Sequence, residues 1–578
     1  MDGKRLFASA ACALALASCG GGGGSSSGTP PTSSGGTSAP APTPTPSVSL
    51  VLESHSDAAQ FLQRAGFGGS EADIDALVGR SAASWLKSQM ALRYDPVVAE
   101  LKRRQAAGRM EQNHDRNRGH VGVWWDRAMA GNDPLRQRAI FALSQIVVAS
   151  DSSMNNAWEN GYYIDTLGRN AFGNYRDLLG DVTLTPAMSK YLTFFGKRVR
   201  EGHNLQPDEN YARELMQLFT IGLYELEMDG SRRLDGEGNP IETYSNVDVE
   251  GLAKVFTGYD HDKTLDKQTW LHSPIVVADE KWHSVQEKWF LGKAIPANTD
   301  SATSLDAALD HVFAHKNLAP FVARQLIQRF TQSAPSPAYI ERVATAFEQG
   351  RYNAADGTGF GTGKRGDLAA TFAAVLLDEQ FFDDTAPTQR EGKIREPLLR
   401  FVHWARAMEV DRIDSMNEWW LIYDTGRSTR LGQSPFGAPS VFNFYRPGNI
   451  ASGTLTGDAN LTAPEFQIMN EASHSGFRNF MHLFVFDGSP QRDKSRETYR
   501  ALYEDERALA DRPEALADHL DAKLMGGAMH PQTRRNILDA LARVTLRERE
   551  DQKAADIAAR ANLAVYLAVT APEFAVQY

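Results

Sequence analysis

The sequence predicts a mostly α fold, a large multi-helix domain with a small inserted β-ribbon near residues 226–244. Three observations predict it: apolar residues recur at helical spacing from Ser54 almost to the C-terminus, helix-start residues open these stripes, and alternating strand-like runs are scarce. In chain order, Asn132-Asp133-Pro134 opens a helix whose apolar set is Ile140, Leu143, Ile146 and Val147. Pro207 to Gly222 reads as one helix, with Pro in its first turn, Asp208 and Glu209 at its positive end and Gly222 as its stop. Leu226 to Tyr244 holds Asp229-Gly230 and Asp235-Gly236, turn signals of a ribbon between two helices. Ser245 with Asp248 makes a capping-box start before Val249, Leu252, Ala253 and Phe256. Further helical stripes run over 318–330, 339–347, 368–381, 397–408, 530–544 and 554–569. No period of 20 to 50 residues stands out, so a regular solenoid is not supported.

The 578 residues are several times a common domain length, and 42% hydrophobic with 23% charged residues is ordinary globular material. With 61 Lys and Arg against 72 Asp and Glu, scattered rather than clustered, the chain has no cationic footprint, and nucleic acid is excluded as an expected partner. Cys12 and Cys19 are the two cysteines, so the folded part has no disulfide, thiolate metal site or cysteine nucleophile.

Residues 1–18 read as a signal peptide: Lys4 and Arg5 precede an apolar run too short to span a bilayer. The ending Leu16-Ala17-Ser18-Cys19 resembles the lipobox of bacterial lipoproteins, which implies cleavage before Cys19 and lipid attachment there. Gly20 after the cysteine resembles the default that sorts such proteins to the outer membrane. The alternative is a soluble secreted protein with Cys19 a free thiol. Residues 20–47 are Gly, Ser, Thr, Pro and Ala alone, a tether reaching roughly 30 Å or more by coil scaling. The domain organisation is therefore 1–18 signal peptide, 19–47 lipidated cysteine and linker, and 48–578 helical domain, with any division into subdomains near 350–366.

Common catalytic and metal motifs are absent: no His-Glu-x-x-His, Gly-x-Ser-x-Gly or Cys-x-x-Cys occurs. The sequence assigns no metal ligands and no cofactor. Gly357 to Lys364 fails as a phosphate-binding loop because Thr358 and Arg365 stand at required positions, and Asp235 to Asn246 reads as a turn rather than a calcium loop, since Pro240 stands where Gly is needed.

The densest polar stretch is Asp208-Glu209-Asn210-Tyr211-Ala212-Arg213-Glu214. On a regular helix Tyr211, Leu215, Leu218 and Phe219 share an apolar face, while Asn210, Arg213, Glu214 and Gln217 share the adjoining one. This face is either a solvated surface with a Glu209–Arg213 pair or two carboxylates over a cleft, with Arg213 holding one ionised while the other carries a raised pKa. The same stretch resembles the signature of the bacterial family catalogued as domain of unknown function 1800. Other pieces resemble it in order: Arg64-Ala65-Gly66-Phe67-Gly68, Pro186-Ala187-Met188, Asp248-Val249 to Tyr259, His283 with Lys288, Gly392-Lys393-Ile394-Arg395-Glu396-Pro397, Pro435 to Phe442, and Ala571-Pro572-Glu573-Phe574. Ser284 stands where that family usually has Asp.

The resemblance implies that Glu209, Asn210, Arg213, Glu214, Asp248, His283 and Lys288 are family positions forming either a site or a buried network. The expected catalytic set is Glu209, Glu214, Arg213, His283 and Lys288, with Asn210, Asp248 and Tyr259 binding and Cys19 the lipid attachment point. Arg324, Arg329, Arg395 and Arg400 are candidates to line the same cavity, His403 is a packing residue, and Ser434 to Tyr445 is a loop over a pocket or a packed connection. The expected function is a lipid-anchored, exported envelope protein that binds or processes a cell-envelope or extracellular polymer. The alternatives are a hydrolase or lyase using a Glu209/Glu214 acid–base pair, with His283 and Lys288 on an anionic substrate, and a non-catalytic assembly protein in which Glu214→Ala strands a buried Arg213. Its partners are the membrane, through the lipid, and a polysaccharide or envelope protein; it faces the periplasm or the cell surface.

Overall fold

Helix takes 54% of the described residues, and the strands among them come in separate two-stranded pairs, so the fold is mostly α. The computed structural model describes residues 49–108, 110, 113–199, 206–382, 392–412, 425–486 and 499–577. Residues 1–48, with the expected signal peptide, Cys19 and linker, lie outside them. No helix of the described residues is long and apolar enough to cross a membrane.

Most predicted stripes are helices at nearly the expected bounds: Pro134–Ser144, Leu318–Phe330, Pro337–Gln349, Leu368–Leu376, Pro397–Ala407, Pro531–Ala542 and Glu550–Val569. Side chains cap many of them; Ser336 accepts from the Tyr339 amide and Asp367 from the Ala370 amide. The 226–244 region is a ribbon of isolated bridges, with Leu226 opposite Arg232 and Leu234 opposite Pro240. Asp235 accepts from the Glu237 and Asn239 amides, which makes its loop a turn closed on itself. Residues 350–366 form a short hairpin, Tyr352–Asn353 with Gly359–Phe360, beside the paired helices 337–349 and 368–376.

From Val48 to Tyr578 the chain is one compact unit. Its apolar centre gathers residues far apart in sequence: Trp124 packs its ring 6.1 Å from Phe67, 5.6 Å from Phe141 and 5.6 Å from Phe436. The Arg64–Gly68 and Pro435–Phe442 motifs are thus packing motifs. The Ser434 to Tyr445 segment is a packed connection, its Phe436 carbonyl accepting from the Asp151 amide at 2.9 Å.

Beside this lies a polar core. Lys393 and Glu465 form an ion pair with both side chains fully buried. Lys393 also donates to the Gln328 carbonyl at 2.8 Å, and Ser333 donates to Glu465 at 2.9 Å. Three residues on, Glu396 accepts from Gln145 at 2.8 Å, from Tyr445 at 2.8 Å and from Gln433. Arg395 bonds His403 Nδ1 at 2.6 Å and the Phe574 carbonyl, and Lys393–Ile394 pairs with the last strand, Val576–Gln577. The Gly392–Pro397 motif therefore ties the C-terminus to the core, because buried charges and edge amides need partners that only the returning chain supplies. Arg329, Arg395 and Arg400 are buried; Arg400 lies 3.9 Å over the Phe477 ring.

Candidate functional site

The site is built by three segments that meet: 206–222, 245–254 and 283–295. The first departs from the expected helix. Pro207 to Glu209 are outside it, the Asp208 carboxylate receives the Asn210 amide at 3.1 Å, and the α-helix is only Asn210–Glu214. It then widens into a π-helix, Leu215–Thr220. The wider turn shows in the Ile221 amide reaching back to the Met216 carbonyl and in Thr220 donating to the Leu215 carbonyl at 2.5 Å. One extra residue per turn rotates the faces. Leu218, expected on the apolar face, is consequently half-buried, while Glu214, the last residue of the preceding α-turn and three residues on from buried Tyr211, is itself buried.

Helix Asn246–Ala253 starts at the predicted capping box: the Ser245 amide and hydroxyl both donate to Asp248 at 2.7 Å. Asp248 has a second task. Its other oxygen receives the Leu291 amide at 2.6 Å, fastening the turn of the Lys288–Phe290/Lys293–Ile295 hairpin to the helix. Burial opposes ionisation there, but these donors hold the Asp248 carboxyl below the usual range. The hairpin turn itself uses left-handed backbone at Leu291 and Gly292. Gly251 lets strand and helix touch: a Cβ there would stand 1.6 Å from the Trp289 carbonyl oxygen.

The strand Lys288–Phe290 presents its residues in an unusual sense. Lys288 and Phe290 face in, while Trp289 is 45% exposed. The buried Lys288 ammonium donates to the Ser284 carbonyl at 2.9 Å and the Gln286 carbonyl at 3.4 Å. Trp289, Gln286, Glu209, Glu250, Lys254, Val247 and neighbours line an open cavity of about 240 Å³.

The two stretches expected to converge do meet, but through other side chains. Glu209 reaches the cavity, paired with Arg213 at 2.9 Å. Asn210 contacts Thr193 at 3.4 Å, and Arg213 also reaches Asn246 at 3.3 Å. Glu214, His283, Lys288, Asp248 and Tyr259 are not among the residues lining it. His283 is buried, with Nδ1 3.1 Å from the Thr257 carbonyl and Nε2 3.3 Å from the Ser304 hydroxyl. Burial pulls its pKa down against the bond to Thr257. Tyr259 donates to the Ser301 carbonyl at 3.3 Å. Arg324, Arg329, Arg395 and Arg400 line no part of this cavity either. Trp289 and Gln286 were missed by sequence reasoning; the signal was a lysine and a tryptophan adjacent in one strand, only one of which can face in.

Glu214 is the most perturbed carboxyl of the segment. Burial pushes its pKa up to about 6 although Arg213 opposes the shift, and its Oε2 has no hydrogen-bond partner among the described residues. The nearby phenols of Tyr191 and Tyr244 are pushed up to about 12, by burial and then by the Glu214 charge for Tyr191. Arg213 pairs with Glu209 and is itself 37% exposed, so the expected stranding of a buried arginine by Glu214→Ala is corrected: that partnership is absent. The folded chain holds a proton on Glu214 up to about pH 6, the unfolded chain only to about 4.5. Stability therefore falls as pH rises between those values and then levels. Glu214→Gln, with no charge to bury, is expected to match the wild type at pH 4 and to exceed it by about 1 kcal/mol at pH 7.5, allowing for partial solvent access. Urea unfolding at both pH values checks this.

The sequence profile of one family, described as Protein of unknown function (DUF1800), matches residues 60–576. The chain belongs to that family. The match takes in every segment of the site and the Gly392–Pro397 core motif. No curated protein and no solved structure matches the chain. The DUF1800 positions expected to form one site thus divide in this member between a surface cavity, at Glu209, and a supporting layer, at Asp248, Tyr259, His283 and Lys288.

Proposed function

We propose that this DUF1800 protein is an exported, lipid-anchored envelope protein that binds a polysaccharide of the cell envelope or its surroundings. The observation that carries the reading is Trp289, held outward beside Glu209, Glu250, Gln286 and Lys254 in an open cavity. A flat apolar ring flanked by carboxylates and amides suits a sugar, whose ring faces are apolar and whose rim is hydroxyls. Glu209 and Glu250 against Lys254, with Arg213 paired to Glu209, leave no surplus positive charge at the rim, which favours a neutral glycan over a polyanion. The lipobox-like Cys19 and the Gly/Ser/Thr/Pro linker support placement at the outer membrane, within reach of such a polymer.

The test is retention of the full chain on a panel of immobilised neutral and anionic polysaccharides, including peptidoglycan sacculi. Trp289→Ala is expected to weaken retention at least about tenfold, about 1.4 kcal/mol, with an unchanged melting temperature. No retention on any member, or equal retention by the variant, removes the proposal. A hydrolase or lyase reading has one observation in its favour, the protonatable Glu214; it requires turnover of a retained glycan that Glu214→Gln abolishes.

A further inference from the structure

Two short helices at the start of the domain bring together a histidine and two carboxylates. Helix His55–Ala65 begins with a capping box, Ser54 with Asp57, and helix Glu71–Asp75 with a second, Ser70 with Asp73. The first box puts His55 at the opening position of its helix. The second puts Glu71 at the opening of the next, with Asp75 four residues on and on the same face. The connecting turn, left-handed at Gly68, folds one helix against the other; a Cβ on Gly69 would stand 2.7 Å from Leu62 and 2.9 Å from Asp73.

His55 Nε2 lies 3.0 Å from Glu71 Oε1 and 3.4 Å from Asp75 Oδ1, and one ligand atom from each residue lies within 4.8 Å of the others. Close as they are, these atoms do not form aligned hydrogen bonds: among the described residues, both His55 ring nitrogens and Glu71 Oε2 are buried without one. Ligands 2.0–2.2 Å from a zinc-class ion at angles of 90–110° are separated by about 3.0–3.4 Å, which matches the spacing from His55 to each carboxylate. The three groups are close enough for one ion to take a ligand atom from each.

We propose that His55, Glu71 and Asp75 bind a divalent cation of the zinc class. One imidazole and two carboxylates suit a borderline ion, and the imidazole disfavours calcium, which takes oxygen ligands. Asp75 is 67% exposed, which leaves the outer side of the site to solvent and gives the ion an entry path. The ion would clamp the second helix to the first, independently of the Trp289 cavity.

The experiment titrates Zn²⁺ into the full chain after chelator treatment, by calorimetry and by melting temperature, with Ca²⁺ in a parallel run. The expected result is one Zn²⁺ per chain, a higher melting temperature with Zn²⁺, and Ca²⁺ binding at least 100-fold weaker. His55→Gln, Glu71→Gln and the exposed Asp75→Asn are each expected to weaken Zn²⁺ binding at least about tenfold and to erase the thermal shift, while Glu53→Gln, an exposed neighbour, does neither. Asp75→Asn decides the matter should the other two fold poorly. Absence of stoichiometric Zn²⁺ binding, binding unchanged in Asp75→Asn, or Ca²⁺ binding as tight as Zn²⁺ overturns the assignment; a plain ion pair of His55 with the two carboxylates would give the first of these.

Discussion

Lys393→Met is expected to destabilise the domain by about 3–5 kcal/mol, the scale for removing one partner of a buried ion pair. Glu465 is fully buried with Lys393, and its remaining donor is Ser333 at 2.9 Å. Methionine fills much the same volume, so the loss comes from a stranded carboxylate and a Gln328 carbonyl without its ammonium rather than from a cavity. The paired change Lys393→Met/Glu465→Met removes both charges and is expected to recover most of the loss, since a well-packed apolar pair commonly matches a buried salt bridge. Urea unfolding of wild type, both single variants and the double variant forms the cycle that checks it. A single-variant loss below about 1 kcal/mol would show that water reaches the pair. The strand Lys393–Ile394 also holds Val576–Gln577, so loss of the C-terminal pairing should accompany the loss of stability, and limited proteolysis would detect it.

Gly251→Ala is expected to reverse the usual sign of a helical substitution. In an exposed helix interior alanine gains about 1 kcal/mol over glycine. At 251 the new Cβ would stand 1.6 Å from the Trp289 carbonyl oxygen and 2.7 Å from its carbon, both backbone atoms that no rotamer change can move. Helix and hairpin must separate, stretching the 2.6 Å bond from the Leu291 amide to Asp248. We expect about 3 kcal/mol of destabilisation, the upper range for overpacking. Trp289 sits on the displaced strand, so glycan retention should fall as far as it does in Trp289→Ala. Gly236→Ala, where nothing lies within 4 Å of the added atom, serves as the control, expected within about 0.5 kcal/mol of wild type.

Much of the helical layout was legible because its signals are local. Ser245 with Asp248 and Pro at the openings of the 134–144 and 397–407 helices act within one turn of chain, and the structure uses them as written. The burial of Glu214 and the π-turn that follows it were not legible. The π-turn is selected by what packs around it, here Phe219 against Tyr211 at 6.3 Å, and Glu214 goes inward with Tyr211, which packs on Phe194 at 4.8 Å and Phe256 at 4.7 Å. The Glu209–Arg213 pair, by contrast, sits on the preceding α-turn, where four-residue spacing still holds. His283 and Lys288 read as functional because polar residues within apolar motifs carry the same signature whether they meet a ligand or satisfy buried carbonyls. Burial separates the two roles, and burial depends on the whole chain.

By itself the sequence determined the mostly helical build, the family membership carried by its ordered motifs, and most helix starts, because periodicity and capping operate over a few neighbouring residues. Only the tertiary structure decided which member of the Lys288–Trp289 pair faces solvent, which carboxylate lies at the cavity and which beneath it, and that His55 meets Glu71 and Asp75. Those outcomes are set by residues tens to hundreds of positions apart, whose desolvation and packing must be met together.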